Sequence, residues 1–141
     1  MQTAVARFLR YLAVERNASD LTIKSYREDL FALCDYLKEL RGGRLPKPNE
    51  VTVFDLRGYV AALHDAGYAP STISRRLASM RSFFKFGQRE GWIEQNPAKP
   101  LRNPRQRRKL PHCLSSAELK RLLEAPPADE PAGCRDRAIL E

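Results

Sequence analysis

Apolar residues recur every three or four positions along most of the chain, which is the spacing of a helix with one buried stripe. A first helix is predicted from about Gln2 to Arg16. Ser19 is a suitable N-cap for a second helix, which ends at Gly42-Gly43 because glycine readily adopts the conformation of a helix C-terminus. The predicted buried stripes are Val5, Phe8, Leu9 and Leu12 in the first helix and Ile23, Tyr26, Leu30, Leu33, Leu37 and Leu40 in the second.

Two further helices follow after a loop that contains two prolines. Thr52 is predicted to cap the third helix, which Gly67 ends, and Pro70 opens a fourth helix that stops at Gly91. Trp92 is expected to fold back onto the other helices. The fold class predicted by these patterns is all-α, with a four-helix bundle as its main part. The buried stripes are Val53, Leu56, Val60 and Leu63 in the third helix and Ile73, Leu77, Met80, Phe83 and Phe84 in the fourth.

The pattern changes after Asn96-Pro97. Prolines recur at positions 97, 100, 104 and 111 among basic residues, which predicts an extended linker. Ser115 and Glu118 form a capping-box pattern before a new helix, and another helix is predicted from Arg135. We therefore expect a helical domain over residues 1–97, a basic linker over 98–113 and the beginning of a second domain over 114–141. The last helix is interrupted after about two turns, so we expect a piece of a longer protein.

The net charge of +8 is concentrated in one segment. Residues 71–109 hold eleven Lys/Arg against two Asp/Glu, whereas residues 1–70 have a surplus of one positive charge and residues 110–141 a surplus of two negative charges. A solvated surface usually mixes both signs, and a membrane surface is a further interpretation of a basic block. The concentration of one sign favours binding of a polyanion such as a nucleic acid.

Several other classes of protein are not indicated. No apolar stretch is long enough to cross a bilayer, and the N-terminus has no signal-peptide pattern, so a cytoplasmic location is expected. The three cysteines have neither a disulfide framework nor metal-ligand spacing. We find no nucleotide-binding glycine loop and no paired carboxylates with a clear common pocket, and we predict no complete active site, no metal and no cofactor.

The fourth helix has a polar flank whose chemistry suits DNA. Short hydroxyl side chains allow a close approach to a phosphate backbone, and arginines bind phosphates or the O6 and N7 edge of guanine. This flank has no carboxylate before Glu90, unlike an ordinary exposed helix. The candidate DNA-binding residues of this helix are Ser71, Thr72, Arg75, Arg76, Ser79 and Lys85, with Ser74 and Ser82 near them.

Two other segments offer basic or hydroxyl side chains. The first turns of the second helix present Thr22, Lys24, Ser25 and Arg27, but Glu28 and Asp29 follow at once. Only the N-terminal end of that helix is therefore expected to meet phosphate. The linker cluster is suited to following a phosphate backbone, with a nuclear-localisation signal as the competing interpretation. Its members are Arg102, Arg105, Arg107, Arg108 and Lys109.

The order of these segments resembles the tyrosine recombinase family, which includes Xer-type recombinases and phage integrases. The resemblance covers the whole chain. It is carried by the stretches FLRYL (8–12), SDLTIKSYREDL (19–30), STISRRLASMRSFFKF (71–86), EGWI (90–93), NPA (96–98), LP (110–111), LSSAE (114–118) and RDRAIL (135–140).

The resemblance implies a SAM-like core-binding domain followed by the start of a catalytic domain, which together clamp duplex DNA. It implies strand exchange by four protomers through a 3′-phosphotyrosyl intermediate, without ATP and usually without metal, in the cytoplasm at the nucleoid. The family's first catalytic arginine and its tyrosine nucleophile fall beyond Glu141, so this chain alone is expected to bind but not to cut. The helices implied to enter the major groove add Arg81 to the candidates and support Thr22, Lys24, Ser25, Arg27, Thr72, Arg75 and Arg76.

Two alternative functions stay open from the sequence. One is a stand-alone DNA-binding regulator or competitor derived from an integrase. The other is a helical interaction module whose basic face meets acidic proteins.

Overall fold

The computed structural model describes residues 1–105 and 113–140, which fall into two compact units. The described residues form helices and no strands, which confirms the all-α prediction. A short 3₁₀ helix, Pro48–Glu50, lies in the proline-containing loop. The α-helices of the first unit are α1 (Gln2–Val14), α2 (Asp20–Leu40), α3 (Val53–Asp65) and α4 (Pro70–Arg89), and those of the second are α5 (Ser116–Glu124) and α6 (Pro131–Leu140).

The helices α2 and α4 are the centre of the first unit. They pack against each other, and α1 and α3 each contact both of them. Phe8 of α1 is fully buried and meets the ring of Phe83 edge-on, with ring centroids 5.6 Å apart. In the predicted stripe of α2, Leu30, Leu33 and Leu37 are buried, and Ile23 and Tyr26 are partly buried against the core. Leu40, the last helical residue, is 50% exposed and lies outside the core. The predicted stripes of α1 and α4 are buried throughout.

The helix ends follow the predicted capping chemistry. The Ser19 hydroxyl accepts a hydrogen bond from the Thr22 amide, and Thr52 forms a reciprocal capping box with Asp55 at the start of α3. Gly91 has a φ of 72°, a left-handed conformation that glycine adopts without steric cost. These signals stop and start the helices within two residues of the predicted positions.

The segment after α4 continues the bundle further than the sequence indicated. Ala98 and Leu101 are buried in the core, so residues 98–101 are part of the first unit and do not form an extended linker. Asn96 stabilises this path, because its side chain donates to the Arg81 carbonyl at 3.1 Å and accepts from the Ala98 amide at 2.9 Å. Two isolated apolar residues among prolines form no periodic pattern, so the sequence does not predict their burial.

The second unit is a pair of short helices. Ser115 and Glu118 form the predicted capping box at the start of α5. The Arg137 guanidinium of α6 donates to the carbonyls of Pro126 and Glu124 at 2.9 and 3.3 Å, which ties α6 to the end of α5. The helix α6 begins at Pro131, four positions before the predicted Arg135. Among all described residues, no helix combines the length and apolar character needed to cross a bilayer.

Candidate nucleic-acid interface

A buried carboxylate joins α2 to α4. Asp29 of α2 is only 2% exposed, although it lies in a polar stretch of the sequence. Its Oδ2 atom accepts a hydrogen bond from Arg75 Nη1 and another from Ser79 Oγ, each at 2.6 Å. Its Oδ1 atom lies 3.7 Å from Arg76 Nε. Three candidate residues of α4 are thus gathered around one side chain that no sequence pattern singles out.

Arg75 connects this buried cluster to the surface. Its side chain remains 46% exposed while it pairs with Asp29. The same guanidinium lies 3.5 Å from the Ser25 carbonyl of α2, so Arg75 and Ser25 are neighbours on the surface. The structure therefore brings together candidates from both helices at this point.

Arg76 points toward α3 and is mostly covered, with 15% of its side chain exposed. It donates a hydrogen bond to the Tyr59 hydroxyl at 2.9 Å and lies over the Tyr68 ring, 4.5 Å from its centroid. Burial acts to lower the pKa of Arg76, but its interactions with Tyr59, Tyr68 and Asp29 together outweigh it and raise the pKa above its ordinary value. Arg76 is thus a permanent cation bound inside the bundle.

Ser79 does not reach the surface, and its prediction as a DNA contact is corrected. The residue is fully buried, because its hydroxyl bonds to Asp29 at the crossing of α2 and α4. The sequence predicts which residues share one face of a helix. It does not show which residues of that face are covered, because this depends on where a neighbouring helix crosses.

Four positions of α4, spaced four, seven and three residues apart, lie on the flank that carries Arg75, because seven residues are two helical turns. They are Ser71, Arg75, Ser82 and Lys85. Thr72 is half-buried beside them. On α2, Thr22 and Ser25 share the flank of Asp29 by the same spacing. We call this surface the α2–α4 face, and its members are Thr22, Ser25, Ser71, Thr72, Arg75, Ser82 and Lys85.

Two candidates of α2 lie off this face. Lys24 is exposed on the outward side of α2. Arg27 is exposed and lines a different open groove with Leu9 of α1 and Phe31 of α2. The sequence grouped both with Ser25 because they are close along the chain, but successive residues of a helix point in different directions.

Arg81 also has partners within the first unit. Its guanidinium donates to the Leu101 carbonyl at 2.5 Å and to the Asn103 side chain at 2.9 Å. These bonds fasten the segment after α4 to the bundle, an arrangement that the sequence did not indicate. Among the predicted linker cations, Arg102 and Arg105 are exposed, whereas Arg107, Arg108 and Lys109 lie outside the described residues.

An open groove of about 620 Å³ continues the α2–α4 face toward the end of α1. Lys85 lines it together with Arg16 and Arg89, two cations that the sequence analysis did not select. Arg89 lies over the Tyr11 ring at 4.3 Å and pairs with Glu15 at 3.5 Å. The groove adds positive charge to one end of the face, and only the folded arrangement of α1 against α4 could reveal it.

The arrangement has the chemistry of a surface for a polyanion. Hydroxyl groups and cations alternate along α4, and its first turn contains no acidic residue. No side chain caps that end of the helix, where the amide groups carry partial positive charge. No group of three or more His, Cys, Asp or Glu that could hold a metal ion is found in the part of the chain that the structure describes.

Comparison with known families agrees with this class of helical domain. Residues 5–91, more than half of the chain, match the family described as "Phage integrase, N-terminal SAM-like domain". The chain therefore belongs to that family.

Its curated relatives include several proteins named "Tyrosine recombinase XerC". The protein of Pelotomaculum thermopropionicum is 39% identical over 143 residues, which cover 100% of this chain and 47% of the relative. That of Xanthomonas axonopodis pv. citri is 40% identical over 146 residues, covering 99% and 48%. That of Oceanobacillus iheyensis is 35% identical over 141 residues, covering 100% and 45%. The chain spans just under half the length of these relatives.

Proposed function

We propose that this chain binds duplex DNA in a sequence-specific manner, as the core-binding part of a tyrosine-type site-specific recombinase. The observation that carries the proposal is the α2–α4 face, where Arg75 is exposed but held by Asp29 among short hydroxyl side chains. The family match over residues 5–91 supports the same assignment.

Arg75 is the residue we assign to base recognition. An α-helix fits the major groove of B-form DNA, and a guanidinium there can bind the O6 and N7 atoms of guanine together. Lys85 and the hydroxyl groups of Ser71 and Thr72 suit phosphate oxygens, which fix the position of the protein on the duplex. Arg76, Ser79 and Arg81 take the role of supports, because their polar groups bond inside the first unit.

The predicted linker contributes a second set of phosphate contacts in this proposal. Arg102 and Arg105 are exposed directly after the part of the chain that packs on the bundle. Arg107, Arg108 and Lys109 continue the basic run in the sequence. Lys24 and Arg27 remain candidates for phosphate contacts at the margin of the site, since both are exposed cations of α2.

The proposal extends to the whole recombinase. By its membership of the family, such a protein would act on two DNA sites as a tetramer, with one protomer on each half-site, and exchange strands through a 3′-phosphotyrosyl intermediate. The residues that cut DNA would be supplied by the part of the recombinase that corresponds to the remaining half of its relatives. On this proposal the present chain binds DNA, requires no cofactor and does not cleave.

The test is selection of the chain against random duplexes, followed by affinity measurements on the selected and random DNA across a salt series. If about five to seven cations contact phosphate, log affinity falls with log salt at a slope of about −5 to −6. We expect an enriched half-site and a steep slope. Binding without any enriched sequence would contradict the specific function, and affinity for acidic proteins but not DNA would favour an interaction module.

A further inference from the structure

We propose that Asp29 is a positioning residue for DNA recognition: it holds the Arg75 guanidinium in one orientation and joins α2 to α4 in a fixed register. The inference rests on the proposed function, since it concerns how the α2–α4 face recognises sequence. Asp29 itself is too deeply buried to contact DNA.

Asp29 has the geometry of a clamp. Its Oδ2 atom receives hydrogen bonds from Arg75 and Ser79, both at 2.6 Å and both from α4. The carboxylate is covered, whereas nearly half of the Arg75 side chain is exposed. One end of the Arg75 guanidinium is therefore anchored in the interior while the rest faces solvent. An exposed arginine without such an anchor samples many rotamers and loses that freedom when it binds.

The second oxygen of Asp29 lies beside Arg76 but does not hold it. Asp29 Oδ1 and Arg76 Nε face each other at 3.7 Å, and neither atom makes a hydrogen bond within the first unit. Arg76 is held from the other side by Tyr59 and Tyr68. Asp29 thus attracts two cations but bonds only to Arg75, and the short, charge-assisted bond fixes that residue.

The cost of this arrangement is weaker attraction to DNA in general. A carboxylate beneath the α2–α4 face partly cancels the positive charge that draws in phosphates. Such a group lowers the affinity for every duplex, so in this proposal its benefit to DNA recognition is discrimination between sequences. A bidentate contact to guanine discriminates against other bases only when the guanidinium plane is correctly placed.

The experiment compares Asp29→Asn with Glu28→Gln. Both variants remove one negative charge at neighbouring positions of α2, but Glu28 is exposed and takes no part in the cluster. For each protein, affinity is measured on the DNA selected by the wild type and on random duplex. We expect Asp29→Asn to lower the ratio of the two affinities by on the order of tenfold, without weaker binding to random DNA. Glu28→Gln should keep the wild-type ratio.

An unchanged ratio in Asp29→Asn, or an equal loss in both variants, would overturn the inference. A merely structural role predicts that Asp29→Asn has a lower melting temperature, while the folded variant keeps the wild-type ratio of the two affinities. If Asp29→Asn does not fold, Ser79→Ala replaces it, since this change removes one of the two hydrogen bonds to Oδ2. A reduced ratio is expected there as well, and an unchanged one would count against the clamp.

A measurement without DNA separates this inference from the proposed function. The mobility of the Arg75 Nε–H group can be measured by ¹⁵N relaxation in the free protein, with exposed Arg27 as an internal reference. We expect Arg75 to be restricted in the wild type and as mobile as Arg27 in Asp29→Asn. High mobility of Arg75 in the wild type would refute the clamp even if DNA binding is confirmed. If the wild type selects no DNA site, the proposed function fails while this test still applies.

Discussion

Arg76 of α4 donates a hydrogen bond of 2.9 Å to the hydroxyl of Tyr59 in α3. This contact connects a third helix to the cluster around Asp29. Tyr59 itself is only 3% exposed, so the packing around it holds its side chain in place. It also gives the Arg76 cation an oriented acceptor in a place where water has little access. The α2–α4 face is therefore supported from behind by α3.

We expect Tyr59→Phe to lower the free energy of unfolding by about 1–3 kcal/mol, because a charged donor loses its acceptor in a covered position. Urea denaturation measures the change. Tyr68→Phe is the matched control: Tyr68 is 44% exposed, and its ring remains available to Arg76 after the substitution. Equal losses in the two variants would mean that the Tyr59 hydroxyl contributes nothing specific.

Stability should decline at alkaline pH because of Cys34. Burial raises the pKa of this thiol from 9.0 to about 11. The folded state therefore keeps its proton when the unfolded state has lost it. The contribution to stability is complete below pH 9 and is lost as the pH rises toward about 11.

Urea midpoints at about pH 8 and about pH 10 measure the effect, and Cys34→Ala should reduce the difference between them. Tyr59, whose pKa is raised above 10.0 by burial, adds a similar decline at higher pH that Cys34→Ala retains. A pH dependence that is the same in wild type and Cys34→Ala below pH 10 would contradict the assignment to this thiol.

Leu77→Ala should destabilise the first unit by about 2–5 kcal/mol, because the side chain is fully buried and its removal leaves a cavity. The free energy of unfolding measures this directly. Lys85→Ala changes an exposed residue of the same helix and should alter stability by no more than about 0.5 kcal/mol. A small effect of Leu77→Ala would contradict its place in the core.

Lys85→Ala should instead weaken DNA binding equally on selected and random duplexes and reduce the magnitude of the salt slope by about 1, as expected for a phosphate contact. Lys38→Ala is the control, because it removes an exposed lysine near the C-terminal end of α2, whereas Thr22 and Ser25 of the α2–α4 face lie near the N-terminal end. Sequence-dependent loss in Lys85→Ala would reassign the residue to base recognition, and an unchanged slope would remove it from the interface.

Arg81→Ala should loosen the segment after α4 without disrupting the helices. The Lys99 and Leu101 amides bond to the carbonyls of Asn96 and Ala98, and Arg81 holds the Leu101 carbonyl. We expect faster hydrogen exchange at both amides in Arg81→Ala, with wild-type rates along α1. Arg89→Ala, a change of an exposed arginine on the same helix, serves as the control. Unchanged exchange would mean that burial of Leu101 alone holds the segment.

The sequence was sufficient to predict the helices of the first unit, because their apolar stripes and their capping residues indicate the same helix boundaries. Ser19 and Thr52 cap the helices for which they were predicted. Local signals of this kind depend on neighbours three or four residues away, which the sequence contains directly.

The cluster around Asp29 could not be predicted in this way. Glu28 and Asp29 are adjacent carboxylates in the same polar stretch, yet only Asp29 is buried. Their different environments arise from the position at which α4 crosses α2, a contact between residues about fifty positions apart. The same crossing explains why Ser79 is covered while Arg75, one turn earlier, remains partly exposed.

Trp92, the only tryptophan in the chain, meets the Phe86 ring edge-on at 5.2 Å and lies beneath the Arg7 guanidinium at 5.0 Å. Its indole is thus in contact with residues of α1 and α4. Because no other tryptophan contributes, the intrinsic emission of the protein is a selective spectroscopic signal of the first unit. Unfolding of the bundle can be followed through this signal without any label, while α5 and α6 stay optically silent in the tryptophan channel.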